Sequence, residues 1–127
     1  MSHPKIAVID FDGTLCTWNF PDVGEVQPDA REALLKLKEL GYLIQIHSYR
    51  TVTYWDRSEC KYNRAQHIAL IHQFMQDNEL PYDELIVNPN MDKPMAELYI
   101  DDRAVGYRGN WLDVIRQVHL LDKPVQL

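Results

Sequence analysis

Asp10 and Asp12 stand two residues apart in Asp10-Phe11-Asp12-Gly13-Thr14, directly after the apolar run Ile6-Ala7-Val8-Ile9. Two carboxylates this close repel each other, so the pair makes most sense with a cation between them. Mg²⁺, a hard ion that takes oxygen ligands and keeps several waters, is the natural choice. Gly13 lets the backbone turn sharply and approach a ligand, while Thr14 adds a hydroxyl and backbone N–H groups suited to phosphate oxygens. The plain rivals are an Asp-rich turn and the first half of a calcium loop. The calcium loop is excluded, because the twelfth position counted from Asp10 is Pro21, where a bidentate Glu is required.

Three further elements follow in order. Leu43-Ile44-Gln45-Ile46-His47 ends in Ser48; Lys93-Pro94 precedes Leu98-Tyr99-Ile100; and that last run ends in Asp101-Asp102. Two adjacent acids closing an apolar strand are costly without a compensating cation. With these four elements, from Lys5 to about Trp111, the chain resembles the haloacid-dehalogenase-like (HAD) phosphohydrolases of the small, capless type. That superfamily is marked by an Asp pair, a Ser or Thr, a Lys and an acidic pair, in this order.

The resemblance implies a role for each position. Asp10 would be the nucleophile that attacks phosphorus and becomes an aspartyl-phosphate; its plain alternative is a metal ligand. Asp12 would serve as general acid toward the leaving group and then as base toward water. Dehalogenating members lack this second Asp, which favours phosphorus chemistry. Ser48 and Lys93 would hold the transferring phosphoryl group. Asp101 would complete a Mg²⁺ site with Asp10 and the backbone carbonyl of Asp12, and Asp102 would be a further ligand through water or a partner for Lys93. Arg50 and Arg103 are candidates, with Gly13 and Thr14, for contact with the substrate, although exposed ion pairs account equally well for both arginines. Tyr49, Tyr54, Trp55, Tyr107 and Trp111 could wall a pocket or simply finish the core. Cys16 reads as an oxidisable thiol near the site or an inert small core residue. The five His residues show no metal-binding spacing.

The elements that must position these residues alternate between strand and helix signals. Ala30, Ala33, Leu34, Leu37 and Gly41 predict a helix, with Pro28 near its start. A second helix is predicted to start between Asp56 and Ser58, where Asp56 and Glu59 have capping-box spacing, and to carry Ile68, Leu70, Ile71, Phe74 and Met75 up to Pro81. Leu85-Ile86-Val87, bounded by Asn88-Pro89, reads as a third strand. Asn110 reads as the cap of a last helix carrying Leu112, Ile115 and Val118. Alternation of this kind predicts an α/β fold, a doubly wound, Rossmann-like parallel sheet flanked by helices, in a single domain over residues 1–127. Asp10 and Ser48 are 38 positions apart, and Ser48 and Lys93 are 45 apart. Predicted elements consume those gaps and leave no room for a cap domain. Only 16–27 and 50–57 could act as flaps, so a large substrate, these flaps or a second subunit in a homo-oligomer would have to exclude water.

Composition narrows the class. The 127 residues carry 25% charged and 46% hydrophobic side chains, ordinary values for a soluble globular protein. A net charge of −6 argues against nucleic acid as a steady partner. No apolar run approaches the ~20 residues of a membrane span, and the start is unlike a signal peptide. Two cysteines do not suggest a disulfide framework, so the expected setting is the reducing cytoplasm. The sequence therefore predicts a Mg²⁺-dependent phosphomonoesterase acting on a small phosphorylated metabolite or a phosphorylated macromolecule. Its rivals are a phosphotransferase and a catalytically silent phosphate- or Mg²⁺-binding or regulatory module of the same fold.

Overall fold

The structure is a computed structural model and describes residues 4–87 and 92–121. Strand β1 (Lys5–Asp10) is followed by helix α1 (Ala30–Glu39), strand β2 (Tyr42–His47), two 3₁₀ turns (Tyr49–Thr51 and Thr53–Trp55), helix α2 (Arg64–Asp77), strands β3 (Glu84–Leu85) and β4 (Leu98–Ile100), and helix α3 (Trp111–Leu121). The four strands form one all-parallel sheet in the order β3-β2-β1-β4. The expected α/β architecture is therefore present.

Ala7, Val8 and Ile9 are all buried, as a central parallel strand requires. Ile9 pairs with Ile46 on one side and with Ile100 on the other. This register places the site. Asp10 follows Ile9, Ser48 follows the Asp10 partner His47, and Asp101 follows Ile100, so three candidate site residues leave the carboxyl edge of the sheet side by side. Chain order along the sheet reverses at β1, and in open α/β sheets ligands bind at the carboxyl ends of strands at such a point.

The core joins Ile9, Ile44, Ile46 and Leu85 of the sheet to Leu34 of α1 and to Ile71, Phe74 and Met75 of α2. Phe11 and Leu15 of the first loop belong to it as well, with Phe11 meeting Phe74 edge-on at 5.2 Å. The loop that bears Asp10 and Asp12 is thus anchored from beneath by its own apolar residues.

Two predicted elements differ. Helix α2 begins at Arg64, not between Asp56 and Ser58: Asn63 accepts from the Gln66 N–H at 2.8 Å, and the Gln66 side chain accepts from the Asn63 N–H at 2.8 Å. Asp56 instead accepts from the Arg64 N–H across the intervening loop. Strand β3 is confined to Glu84–Leu85, and its expected Asn88-Pro89 boundary lies outside the described residues. Helix α3 follows an Asn110 cap as expected, with Asn110 accepting from the Leu112 and Asp113 N–H groups. Its apolar residues Leu112, Ile115 and Val118 are largely exposed. Among the described residues no helix is long and apolar enough to cross a membrane.

Candidate active site

Asp10, Asp101 and Asp102 form a triad in which one carboxylate oxygen from each lies within 4.8 Å of the others. Thr14 stitches it together: its hydroxyl donates to Asp10 Oδ2 at 3.1 Å and accepts from the Asp102 N–H at 3.1 Å. Asp101 Oδ1 accepts from the Arg103 N–H at 2.8 Å. Asp102 Oδ1 is buried and has no hydrogen-bond partner among the described residues. Gly13 makes the packing possible. It adopts φ +84°, and a Cβ there would stand 2.4 Å from Asp102 Oδ2, so only glycine lets this loop close onto the third carboxylate. Burial, with the nearby charges of Asp101 and Asp102 adding to it, raises the Asp10 pKa to about 7.

Asp12 is paired with a cation instead. Both of its oxygens are taken by Arg50, with Nε donating to Oδ2 at 2.8 Å and the second terminal nitrogen donating to Oδ1 at 2.7 Å. Arg50 is fully buried. Its remaining donors reach the Pro21 carbonyl at 2.7 Å, the Asp22 carbonyl at 2.7 Å and His67 Nδ1 at 2.9 Å. All five guanidinium N–H groups are thereby engaged inside the protein, leaving none for a ligand. The expectation that Arg50 contacts substrate is corrected: it is an internal clamp. Since Arg50 can only donate, His67 Nδ1 accepts and the ring is neutral, and burial with the Arg50 charge lowers the His67 pKa to about 4. Asp22 takes Lys61 at 2.8 Å and the Tyr62 hydroxyl at 2.5 Å, which tie the 17–26 loop down a second time.

Ser48 is buried, and its Oγ accepts from the Arg50 N–H at 3.1 Å, so it caps the first 3₁₀ turn while its own hydroxyl hydrogen stays uncommitted by that bond. It lines both cavities at the sheet edge. The larger, about 610 Å³, is lined by Asp10, Asp12, Ser48 and Asp101 and also by aromatic side chains. The smaller, about 170 Å³, runs past Asp10, Ser48, His47 and Tyr99. Lys93 does not join the triad; its ammonium lies 4.6 Å from the centre of the Tyr99 ring, beside the smaller cavity. Arg103 borders the larger one, its guanidinium 4.9 Å from the Trp18 ring centre. Cys16 is buried, and burial followed by the charge of Asp12 pushes its thiol up to about 11, which fits an inert core residue.

No family model and no curated protein matches the sequence. The fold does have a solved counterpart. A conserved protein coded by a locus of Bacteroides thetaiotaomicron superposes with a TM-score of 0.59 at 21% identity, over 95% of this chain and 94% of that one. The likeness establishes a shared fold and carries no activity with it.

Sequence reasoning placed Asp10, Asp101 and Asp102 at one point but missed Trp18, Phe20, Asp22 and His67. Only Phe20 and Trp18, as aromatic residues within the expected flap, offered a signal. Asp22 and His67 matter through Arg50, which nothing local in the sequence marks as buried.

Proposed function

We propose that the protein is a Mg²⁺-dependent phosphatase that hydrolyses a phosphate monoester through an aspartyl-phosphate on Asp10. The observation that carries this reading is the Asp10–Asp101–Asp102 triad, in which a buried, unpartnered Asp102 oxygen and a nucleophile candidate with a raised pKa both call for a cation. The residues fit a hard divalent ion, since all three offer carboxylate oxygen and none offers nitrogen or sulfur. Bound there, Mg²⁺ would neutralise charge on the phosphoryl group and favour ionised Asp10.

The chain's own residues would do the rest. An Asp10 oxygen attacks phosphorus as the bond from phosphorus to the leaving oxygen breaks, and the leaving oxygen takes its proton from Asp12 or from water. Water then attacks the aspartyl-phosphate, giving up a proton toward Asp12, and the phosphorus–Asp10 bond breaks to release inorganic phosphate. Arg50 holds the Asp12 carboxylate still for both transfers, and Thr14 fixes the rotation of Asp10. Ser48 is placed to donate to a phosphoryl oxygen. The reversal of strand order at β1 supports the finer, doubly wound reading of the fold that this mechanism expects.

Steady hydrolysis of p-nitrophenyl phosphate tests the reading. It should require Mg²⁺, vanish with chelator, and be lost in Asp10→Asn. Hydrolysis unchanged in that variant would refute the nucleophile.

A further inference from the structure

The larger cavity has two unlike kinds of lining. One is the carboxylates and Ser48; the other is Trp18, Phe20, Trp55 and Tyr49, with Arg103 beside them. Resting on the phosphatase reading, we propose that this cleft selects phosphate esters that carry a planar aromatic group, a nucleobase or aryl ring, close to the reacting phosphate.

Three observations support the assignment. First, the aromatic wall is fixed rather than loose. Phe20 lies parallel to His67 at 5.7 Å between ring centres and to Trp18 at 5.9 Å, and the Arg50 guanidinium sits 4.8 Å from its centre. Arg50 and Asp22 pin the backbone of the same loop. A wall ordered in advance loses little entropy when a ligand stacks on it. Second, rings remain open to solvent at the site itself. Tyr49, which directly follows Ser48, is 70% exposed, and Trp18 is 36% exposed. Third, the flat Arg103 guanidinium already lies over Trp18, and both line the cavity that holds Asp10 and Asp101. A planar group thus stacks on a ring that shares the cavity with the carboxylates. A sugar phosphate without an aromatic group has no π face to stack on these surfaces. A volume of about 610 Å³ is within the range of small-molecule sites.

The test compares adenosine 5′-monophosphate, phenyl phosphate and ribose 5-phosphate, in both turnover and binding. Binding is read as tryptophan fluorescence in an Asp10→Asn, Trp111→Phe protein, where Trp18 and Trp55 are the only tryptophans and turnover is blocked. At least one aromatic ester should exceed ribose 5-phosphate by about ten-fold or more in kcat/KM, mainly through KM, in line with one ring stacked on an aromatic side chain. The same ester should quench the fluorescence where ribose 5-phosphate does not. Whichever aromatic ester leads identifies nucleobase or simple aryl as the source. In Trp18→Ala and, as a second and more exposed position, Tyr49→Ala, the preference should shrink toward one. Quenching by an aromatic ester with no hydrolysis of any ester would keep the cleft assignment and overturn the phosphatase. Equal hydrolysis of all three with no selective quenching would overturn the cleft assignment and keep the phosphatase.

Discussion

Two charged centres share one short loop, and they are built on opposite principles. Around Arg50 every donor has an acceptor: five N–H groups meet one carboxylate, two carbonyls and one imidazole. Around Asp10 three carboxylates crowd together, and one buried oxygen has nothing to bind among the described residues. A fully paired buried charge holds its surroundings in one geometry, whereas removing one partner leaves an expensive orphan. On the proposed reading the unpaired side is where a cation would bind, and the paired side would hold that place in one geometry. Gly13 joins the two, since its missing Cβ is what admits Asp102.

The largest expected effect comes from the unpaired side. Asp10→Asn should reduce turnover by about 10⁴-fold or more, as losing a nucleophile generally does. Its melting temperature should hold or rise, because the change removes one of three mutually repelling charges. Asp101→Ala should likewise abolish activity, with an unchanged circular dichroism spectrum and loss of Mg²⁺ binding in calorimetry. A clear fall in the stability of Asp10→Asn would show that the triad is compensated after all.

The paired side should answer in the reverse sense. Arg50→Met strands Asp12 and should cost about 3–5 kcal/mol of stability, the range for breaking a buried ion pair from one side. Asp12→Asn should slow turnover by about 10²–10⁴-fold through loss of the proton-transfer group. Combining the two should cost much less stability than the sum of the single changes, as seen by urea unfolding. Additive costs would mean that the clamp does not act as a unit.

A smaller effect is carried by pH. Asp10 binds its proton up to about pH 7 in the folded protein but only to about 3.8 in the unfolded chain. The folded state thus binds more protons across that window, so the Asp10 contribution to metal-free stability, taken alone, declines as pH rises from about 4 to 7. Mg²⁺, which competes with that proton, should stabilise the protein more at pH 7.5 than at pH 5, each within ~1 unit of the window's edges. Thermal denaturation with and without Mg²⁺ measures that difference, and equal Mg²⁺ stabilisation at the two pH values would contradict it.

The unpaired side was readable in the sequence because it is local: each acid closes an apolar run, and parallel register alone brings Asp10 and Asp101 together. The paired side was not, because Arg50 meets Asp12 from 38 residues away and His67 from 17. A lone Arg after a strand looks like a surface residue until the partners that make its burial tolerable are in place. The misplaced start of α2 has a similar cause. Asp56-x-x-Glu59 and Asn63-x-x-Gln66 share one spacing, and only tertiary contacts, with Lys61 and Tyr62 held by Asp22, favour the second. Lys93, expected at the phosphoryl group from motif order, rests over Tyr99, which lines a cavity with Asp10 and Ser48, on a stretch that lacks a strand's fixed register.

The smallest effect isolates the paired side by titration. His67 is buried against Arg50 as a neutral acceptor, and its pKa falls from 6.5 to about 4. The unfolded chain therefore takes up a proton that the folded protein refuses between those values. Its contribution to stability is intact above pH 6.5 and is lost progressively as pH drops toward about 4. Asp10 acts in the opposite direction over nearly the same range, so the two centres offset each other in the metal-free protein and its stability should vary little there. His67→Gln keeps an acceptor for Arg50 but cannot titrate. In that variant the Asp10 trend should stand alone, with stability rising toward acid and the melting temperature at pH 5 higher than in the parent by about 2–5 °C, after matching the two at pH 7.5. Asp10→Asn should show the mirror image, a steeper loss below pH 6.5. Parallel pH profiles for the parent and both variants would mean that neither proton is linked to folding, and that the contrast between the two centres is one of geometry alone.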